Sequence, residues 1–190
     1  YTYYETPQQV FDRILKYKHY FGDHGGVTVS GGEALLQPVF VRELFSLCKK
    51  HQIHTCLDTS GCIINDDVLD LLTVTDMVLL DIKFSDKGLY HLHTKADMDT
   101  VMYFLAILEK RNIRTWIRHV LVPDLNDSRE HLLRLKRLLQ GYTCIETVEF
   151  LPFRKLCEEK YQTLQIEFPF SKYREGNKED IERANRIFTC

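Results

Sequence analysis

Five short runs rich in β-branched and aliphatic residues punctuate the chain: Val27-Thr28-Val29, Ile53 to Leu57, Met77 to Ile82, Arg114 to Val122 and Ile145 to Leu151. Their starts lie 26, 24, 37 and 31 residues apart. Such intervals hold a strand and a crossover helix and are too long for hairpins, so the runs predict parallel strands. The segments between them carry helical period. Thr6-Pro7 opens a helix ahead of Val10, Ile14, Tyr17 and Phe21, and Pro38 opens one with the stripe Val41, Leu44, Phe45 and Cys48. A third stripe is Val101, Phe104, Leu105 and Leu108. A fourth passes through Leu132, Leu135 and Leu139, from a cap at Asp127 or Ser128 to Gly141. A last helix, with Ile181, Ala184 and Phe188, begins at Asn177 or Lys178. Asp86 to Asp97 and Phe168 to Asn177 are the least patterned stretches and read as surface loops.

The order is helix, then β-α four times, then strand and helix. It predicts one α/β domain over residues 1–190, barrel-like or doubly wound, with residues 155–190 as loop plus terminal helix. A fold of this kind that begins with a helix lacks the strand from which that helix returns. The first residue is Tyr1 and not Met, so the chain reads as incomplete at its N-terminus.

Composition narrows the function classes. An apolar fraction of 44% is enough for one sizeable core. Lys plus Arg number 25 against 27 Asp plus Glu, and a net charge of −2 offers no basic footprint for nucleic acid or an anionic membrane. No apolar run approaches the ~18 residues of a membrane-spanning helix, and the start has neither the basic nor the apolar region of a signal peptide. The expectation is a soluble, cytoplasmic protein. The six cysteines are Cys48, Cys56, Cys62, Cys144, Cys157 and Cys190. No two stand two or three residues apart, so they read as reduced, mostly buried thiols and not as a metal-binding loop.

In parallel α/β folds functional groups gather where strands end. Here those ends are polar: Ser30-Gly31-Gly32-Glu33, Asp58-Thr59-Ser60-Gly61, Asp81-Ile82-Lys83, Arg118-His119, and Arg154 after Leu151-Pro152-Phe153. Taken singly, Gly31-Gly32 reads as a tight turn, Asp58 as a helix cap and Asp81 with Lys83 as an ion pair. Arg118 within an apolar strand is costly without a partner. Four strands ending in charge suggest one polar, zwitterion-sized site, in which carboxylates and carbonyls suit an ammonium, Lys83 and Arg118 suit a carboxylate, and Asp81 suits ribose hydroxyls.

The motif Gly26-Val27-Thr28-Val29-Ser30-Gly31-Gly32-Glu33-Ala34-Leu35-Leu36-Gln37 is followed by Ile53-His54-Thr55-Cys56-Leu57-Asp58-Thr59-Ser60-Gly61. Leu79-Leu80-Asp81-Ile82-Lys83 and Trp116-Ile117-Arg118-His119-Val120-Leu121-Val122-Pro123 come next. In order and spacing these resemble the pyruvate formate-lyase-activating enzymes, a family of radical S-adenosylmethionine (SAM) enzymes. The resemblance spans almost the whole chain and weakens after about Tyr161. It implies a partial (β/α)6 TIM-like barrel, here without its first strand and cluster loop. It also implies a [4Fe–4S] cluster chelated by SAM, and reductive cleavage of SAM to a 5′-deoxyadenosyl radical that takes hydrogen from a glycine of a partner glycyl radical enzyme. Pyruvate formate-lyase is the favoured partner, and a flavodoxin or ferredoxin the electron donor.

By the same resemblance, Ser30, Gly31, Gly32 and Glu33 meet the methionyl amino group with help from Asp58. Asp81, Ile82 and Lys83 contact the ribose and carboxylate, and Arg118 lies in the active-site wall. A monovalent cation is held by Asp58, Thr59, Asp81 and the carbonyl of Leu79. Two departures stand out. Arg154 occupies the place where the family often has a ribose-binding His, and it donates but cannot accept. The Cys-x3-Cys-x2-Cys cluster motif is not in this sequence, so no cysteine here is assigned to the cluster and its ligands are expected upstream of residue 1. On this reading the chain alone forms no cluster and performs no radical chemistry. Two other readings remain: a Schiff-base aldolase or lyase using Lys83, although Asp81 beside it favours the ammonium, and a non-catalytic partner-binding domain whose Lys155 to Tyr173 tail supports docking.

Overall fold

The computed structural model describes residues 4–22 and 25–189. Five strands follow the five predicted runs closely: β1 Gly26–Val29, β2 His54–Thr59, β3 Met77–Asp81, β4 Arg114–Leu121 and β5 Ile145–Pro152. They lie in one sheet in the order β1-β2-β3-β4-β5. β1 pairs parallel with β2 from Gly26 against His54 to Val29 against Leu57, and β2 with β3 from Cys56 against Met77 to Thr59 against Leu80. Sequential order decides between the two architectures left open by the sequence. A doubly wound sheet reverses its order at a switch point, whereas a barrel-type sheet adds each strand beside the last. This sheet is of the barrel type.

The helices are α1 Pro7–Leu15, α2 Pro38–Lys50, α3 Asp66–Leu71, α4 Lys87–Thr94, α5 Met98–Lys110, α6 Arg129–Leu139, α7 Glu158–Thr163 and α8 Lys178–Thr189. The caps explain their starts. Thr6 accepts from the Gln9 amide while the Gln9 side chain accepts from the Thr6 amide, a reciprocal capping box ahead of Pro7. Ser128 caps α6, and Asn177 with Asp180 caps α8 in the same reciprocal way. One expectation is corrected here. The stretch from Asp86 to Asp97 is not a loop: Asp86 caps α4 by accepting from the Leu89 amide, and the helix ends at Lys95 with φ of 60°. Among its residues only Tyr90 is buried, so no apolar stripe marked it in the sequence.

The chain divides into two units. The first contains residues up to Asp81, Asp97–Ile117 and Tyr142–Thr147. On one face of its strands Thr55, Leu57, Thr59, Val78, Leu80, Thr115 and Ile117 are buried. Phe11, Leu44, Cys48 and Ile53 form a core cluster with Val27, Val29 and Phe40 packed on it. The other strand face is open and concave, with a cavity of about 480 Å³ lined by residues including Thr28, His54, Cys56, Leu79 and Trp116. The second unit contains Ile82–Ala96, Arg118–Gly141 and the chain from Val148. Val122, Phe153 and Phe168 are the buried centre of one of its clusters.

Candidate functional site

In the first unit the loop after β1 is built on two glycines with left-handed backbone, Gly31 at φ 92° and Gly32 at φ 57°. A Cβ there would meet no heavy atom within 4 Å, so it is conformation and not crowding that requires glycine. Glu33 pins this turn. Its Oε1 accepts from the Leu35 amide at 3.1 Å and from Thr59 Oγ at 2.6 Å, and its Oε2 accepts from the Ser60 amide at 3.0 Å and from Ser60 Oγ at 2.5 Å. Four donors fill the accepting capacity of one carboxylate. Burial raises the Glu33 pKa, and the bonds from Ser60, Thr59 and Leu35 outweigh that and hold it below its ordinary value. Glu33 is thus committed to joining the β1 loop to the end of β2, a role its place in the glycine motif did not reveal.

Strand alternation sorts the remaining candidates of this unit. Cys56 and Asp58 share one face of β2, and Leu79 and Asp81 share one face of β3, with Asp58 directly across from Leu79. Asp58 and Asp81 therefore stand at the end of the open face that the cavity occupies. Thr59 projects to the other, buried face, where its hydroxyl donates to Glu33 and accepts from the Gly61 amide at 3.0 Å. Of the four residues expected around a cation, Asp58, Asp81 and the Leu79 main chain lie together. The Thr59 hydroxyl does not join them.

In the second unit Ile82 is fully buried and its amide donates to the Arg118 carbonyl at 3.0 Å. Lys83 lines a cavity of about 280 Å³ with an apolar, aromatic wall that includes Phe84, His93, Phe153 and Phe170. His93 stacks on Phe84 with ring centroids 5.1 Å apart. Burial, followed by the charges of Lys172 and Lys95, lowers the His93 pKa. Arg154 donates to the Gly176 carbonyl at 3.0 Å and approaches Glu175, whose carboxylate also accepts from the Lys155 amide at 2.7 Å. Part of its guanidinium is therefore engaged in holding the segment before α8.

A model of the radical SAM superfamily matches residues 1–136. The pyruvate formate-lyase-activating enzyme of Clostridium pasteurianum is 37% identical over 183 residues, covering 96% of this chain and 75% of that protein. Pyruvate formate-lyase 1-activating enzyme of Escherichia coli strain K12 is 35% identical over 185 residues, with the same two coverages. The chain belongs to the pyruvate formate-lyase-activating enzymes of the radical SAM superfamily. A crystal structure of a domain of pyruvate-formate lyase-activating enzyme from Bacteroides vulgatus ATCC 8482 shares the fold. Its TM-score is 0.70 at 19% identity, over 86% of this chain and 92% of that one.

Radical SAM membership implies SAM and an iron–sulfur cluster. The residues fit the first. In the first unit the open Gly31-Gly32 turn offers main-chain groups and Asp58 and Asp81 offer carboxylates; in the second, taken by itself, Lys83 offers an ammonium beside an aromatic wall. They do not fit the second. Cys48, Cys56 and Cys144 are buried, and burial pushes the Cys48 and Cys144 thiols up to about 11. Cys62 is partly buried and Cys157 exposed, while Cys190 lies outside the described residues. Among the described residues no three His, Cys, Asp or Glu side chains are grouped to hold a metal.

Proposed function

We propose that this chain binds SAM as a glycyl-radical-enzyme activase whose partner is pyruvate formate-lyase or a related glycyl radical enzyme, with a flavodoxin or ferredoxin as donor. The observation that carries the reading is the Gly31-Gly32 turn held open by Glu33 at the β2 end that bears Asp58, in a chain of this family. The 35–37% identity to activating enzymes over 96% of the chain supports the reaction class. Bound SAM supplies, with the family's cluster, the radical that takes hydrogen from a glycine of the partner.

This chain's residues recognise and orient SAM. The main chain of Ser30, Gly31 and Gly32 meets the methionyl ammonium, with Asp58 as its countercharge and Glu33 as the brace of the loop. Asp81 accepts from ribose hydroxyls, and Ile82 and Lys83 contact the ribose and the carboxylate. Arg118 adds a cation for the carboxylate and Arg154 a donor toward the ribose. A monovalent cation beside the carboxylate takes Asp58, Asp81 and the Leu79 carbonyl, with Thr59 contributing through its main chain. The proposed place of action is the cytoplasm; no helix of the described residues is long and apolar enough to cross a membrane.

Isothermal calorimetry with SAM tests the reading. One SAM per chain is expected, weakened about tenfold or more by Asp81→Ala. Absence of binding at millimolar SAM would overturn it. Calorimetric titration of this protein, with SAM present, into pyruvate formate-lyase tests the partner: a saturable complex is expected, and no heat of binding would overturn that assignment.

A further inference from the structure

We propose that Asn126 and His119 are positioning residues for SAM recognition, because they hold the two main-chain carbonyls that set where Lys83 stands. β3 ends at Asp81, and the Ile82 amide still bonds the Arg118 carbonyl. The next two carbonyls are taken by side chains. His119 Nδ1 lies 2.5 Å from the Ile82 oxygen, and since a carbonyl can only accept, Nδ1 carries the proton. Asn126 Nδ2 donates to the Lys83 oxygen at 3.2 Å and to the Val120 oxygen at 2.9 Å.

The orientation of the Asn126 amide is dictated by its third bond. The Val122 amide donates to it at 2.7 Å, so Oδ1 must face Val122 and the NH2 must face the two carbonyls. The turn after β4 delivers it there. The Leu125 and Asn126 amides both donate to the Val122 carbonyl, and Asp124 takes a left-handed φ of 65°. His119 is fully buried and Asn126 is 1% exposed, so neither bond is traded readily for water. Lys83, Val120, Val122 and Asn126 all line the same 280 Å³ cavity. A shift of the Lys83 main chain would carry its ammonium with it, and sub-ångström placement matters for a charge that must meet a ligand.

The inference rests on the SAM reading, and its test separates the two. Asn126→Asp keeps shape and the bond from Val122 but sets an oxygen against two carbonyls. His119→Asn keeps a donor where Nδ1 stands, and His119→Leu removes it. Ser85→Ala is the control, since it breaks the 2.9 Å bond from Ser85 to the His131 carbonyl in the same unit without touching residues 82–83. Lys83-Phe84 is the sole Lys-Phe pair in the sequence, so carbonyl-¹³C lysine with ¹⁵N phenylalanine gives a single resonance for that peptide bond.

The expected result is that SAM shifts this resonance in the unaltered chain, and that Asn126→Asp and His119→Leu displace it and weaken SAM by about tenfold or more. His119→Asn and Ser85→Ala stay within about twofold of the unaltered chain. Equal affinity in Asn126→Asp, an equal loss in Ser85→Ala, or, should Asn126→Asp fail to fold, the same affinity in His119→Asn and His119→Leu would overturn the inference alone. An unaltered chain that binds no SAM overturns the SAM reading, and the inference with it.

Discussion

Thr59 Oγ donates to Glu33 Oε1 at 2.6 Å, joining a strand end to the glycine turn 26 residues earlier. Because the Glu33 pKa is held below 4.5, its bonds stabilise the fold above that ordinary value. The contribution is lost as pH falls through the lower folded value. Acid unfolding of the unaltered chain followed by circular dichroism should therefore show this loss. Glu33→Gln, which turns one acceptor into a donor facing other donors, should cost about 1–3 kcal/mol at pH 7 and flatten the acid limb. An unchanged acid profile in Glu33→Gln would count against the brace.

Two glycines separate conformation from crowding. Gly61 has φ of 66°, and a Cβ there would stand 2.8 Å from Leu80 Cδ1 and 3.0 Å from Phe104 Cδ1, both on fully buried side chains. Gly61→Ala should lose about 3 kcal/mol in urea unfolding, from strain and overpacking together. Gly32→Ala, in open space, should lose only about 1 kcal/mol while weakening SAM.

His131 is buried and its Nε2 has no hydrogen-bond partner among the described residues. Burial first, then the Arg134 charge, pushes its pKa down to about 4, against the opposing pull of Asp86. The unfolded chain takes a proton near 6.5 while the folded one does not, so stability should fall as pH drops from about 6.5 to about 4. His131→Phe removes the titrating group, and its aromatic neighbours Phe84 and His119 accept a ring. Melting temperatures across that range should depend less on pH in the variant, with stability at pH 7 within about 1 kcal/mol.

Asp180 accepts two bonds of 2.7 Å from Arg174 and one of 2.9 Å from the Asn177 amide. The Arg174 bond, ahead of the Asn177 amide, lowers its pKa to about 2 from 3.8. Its contribution is present above pH 3.8 and lost as pH falls toward 2. Asp180→Ala should cost about 1–2 kcal/mol at pH 7, as loss of a helix cap does, and increase hydrogen exchange in the first turn of α8. Unchanged exchange there would argue that the cap does not hold the helix.

Local chemistry carried much of this protein into its sequence. Five β-rich runs gave strands within a residue or two, because alternation and β-branching are short-range signals. Thr6-Pro7, Asp127-Ser128 and Asn177-Lys178 marked helix starts for the same reason. Helix α4 was hidden because its burial comes from one residue, Tyr90, and one residue has no period. The sequential strand order, the commitment of Glu33 to Thr59 and Ser60, the turning away of the Thr59 hydroxyl, and the hold of Asn126 on Lys83 were decided by tertiary structure. Each depends on a donor and an acceptor 26 to 43 residues apart or on which face a side chain takes once strands are in register, and no spacing along one strand encodes that.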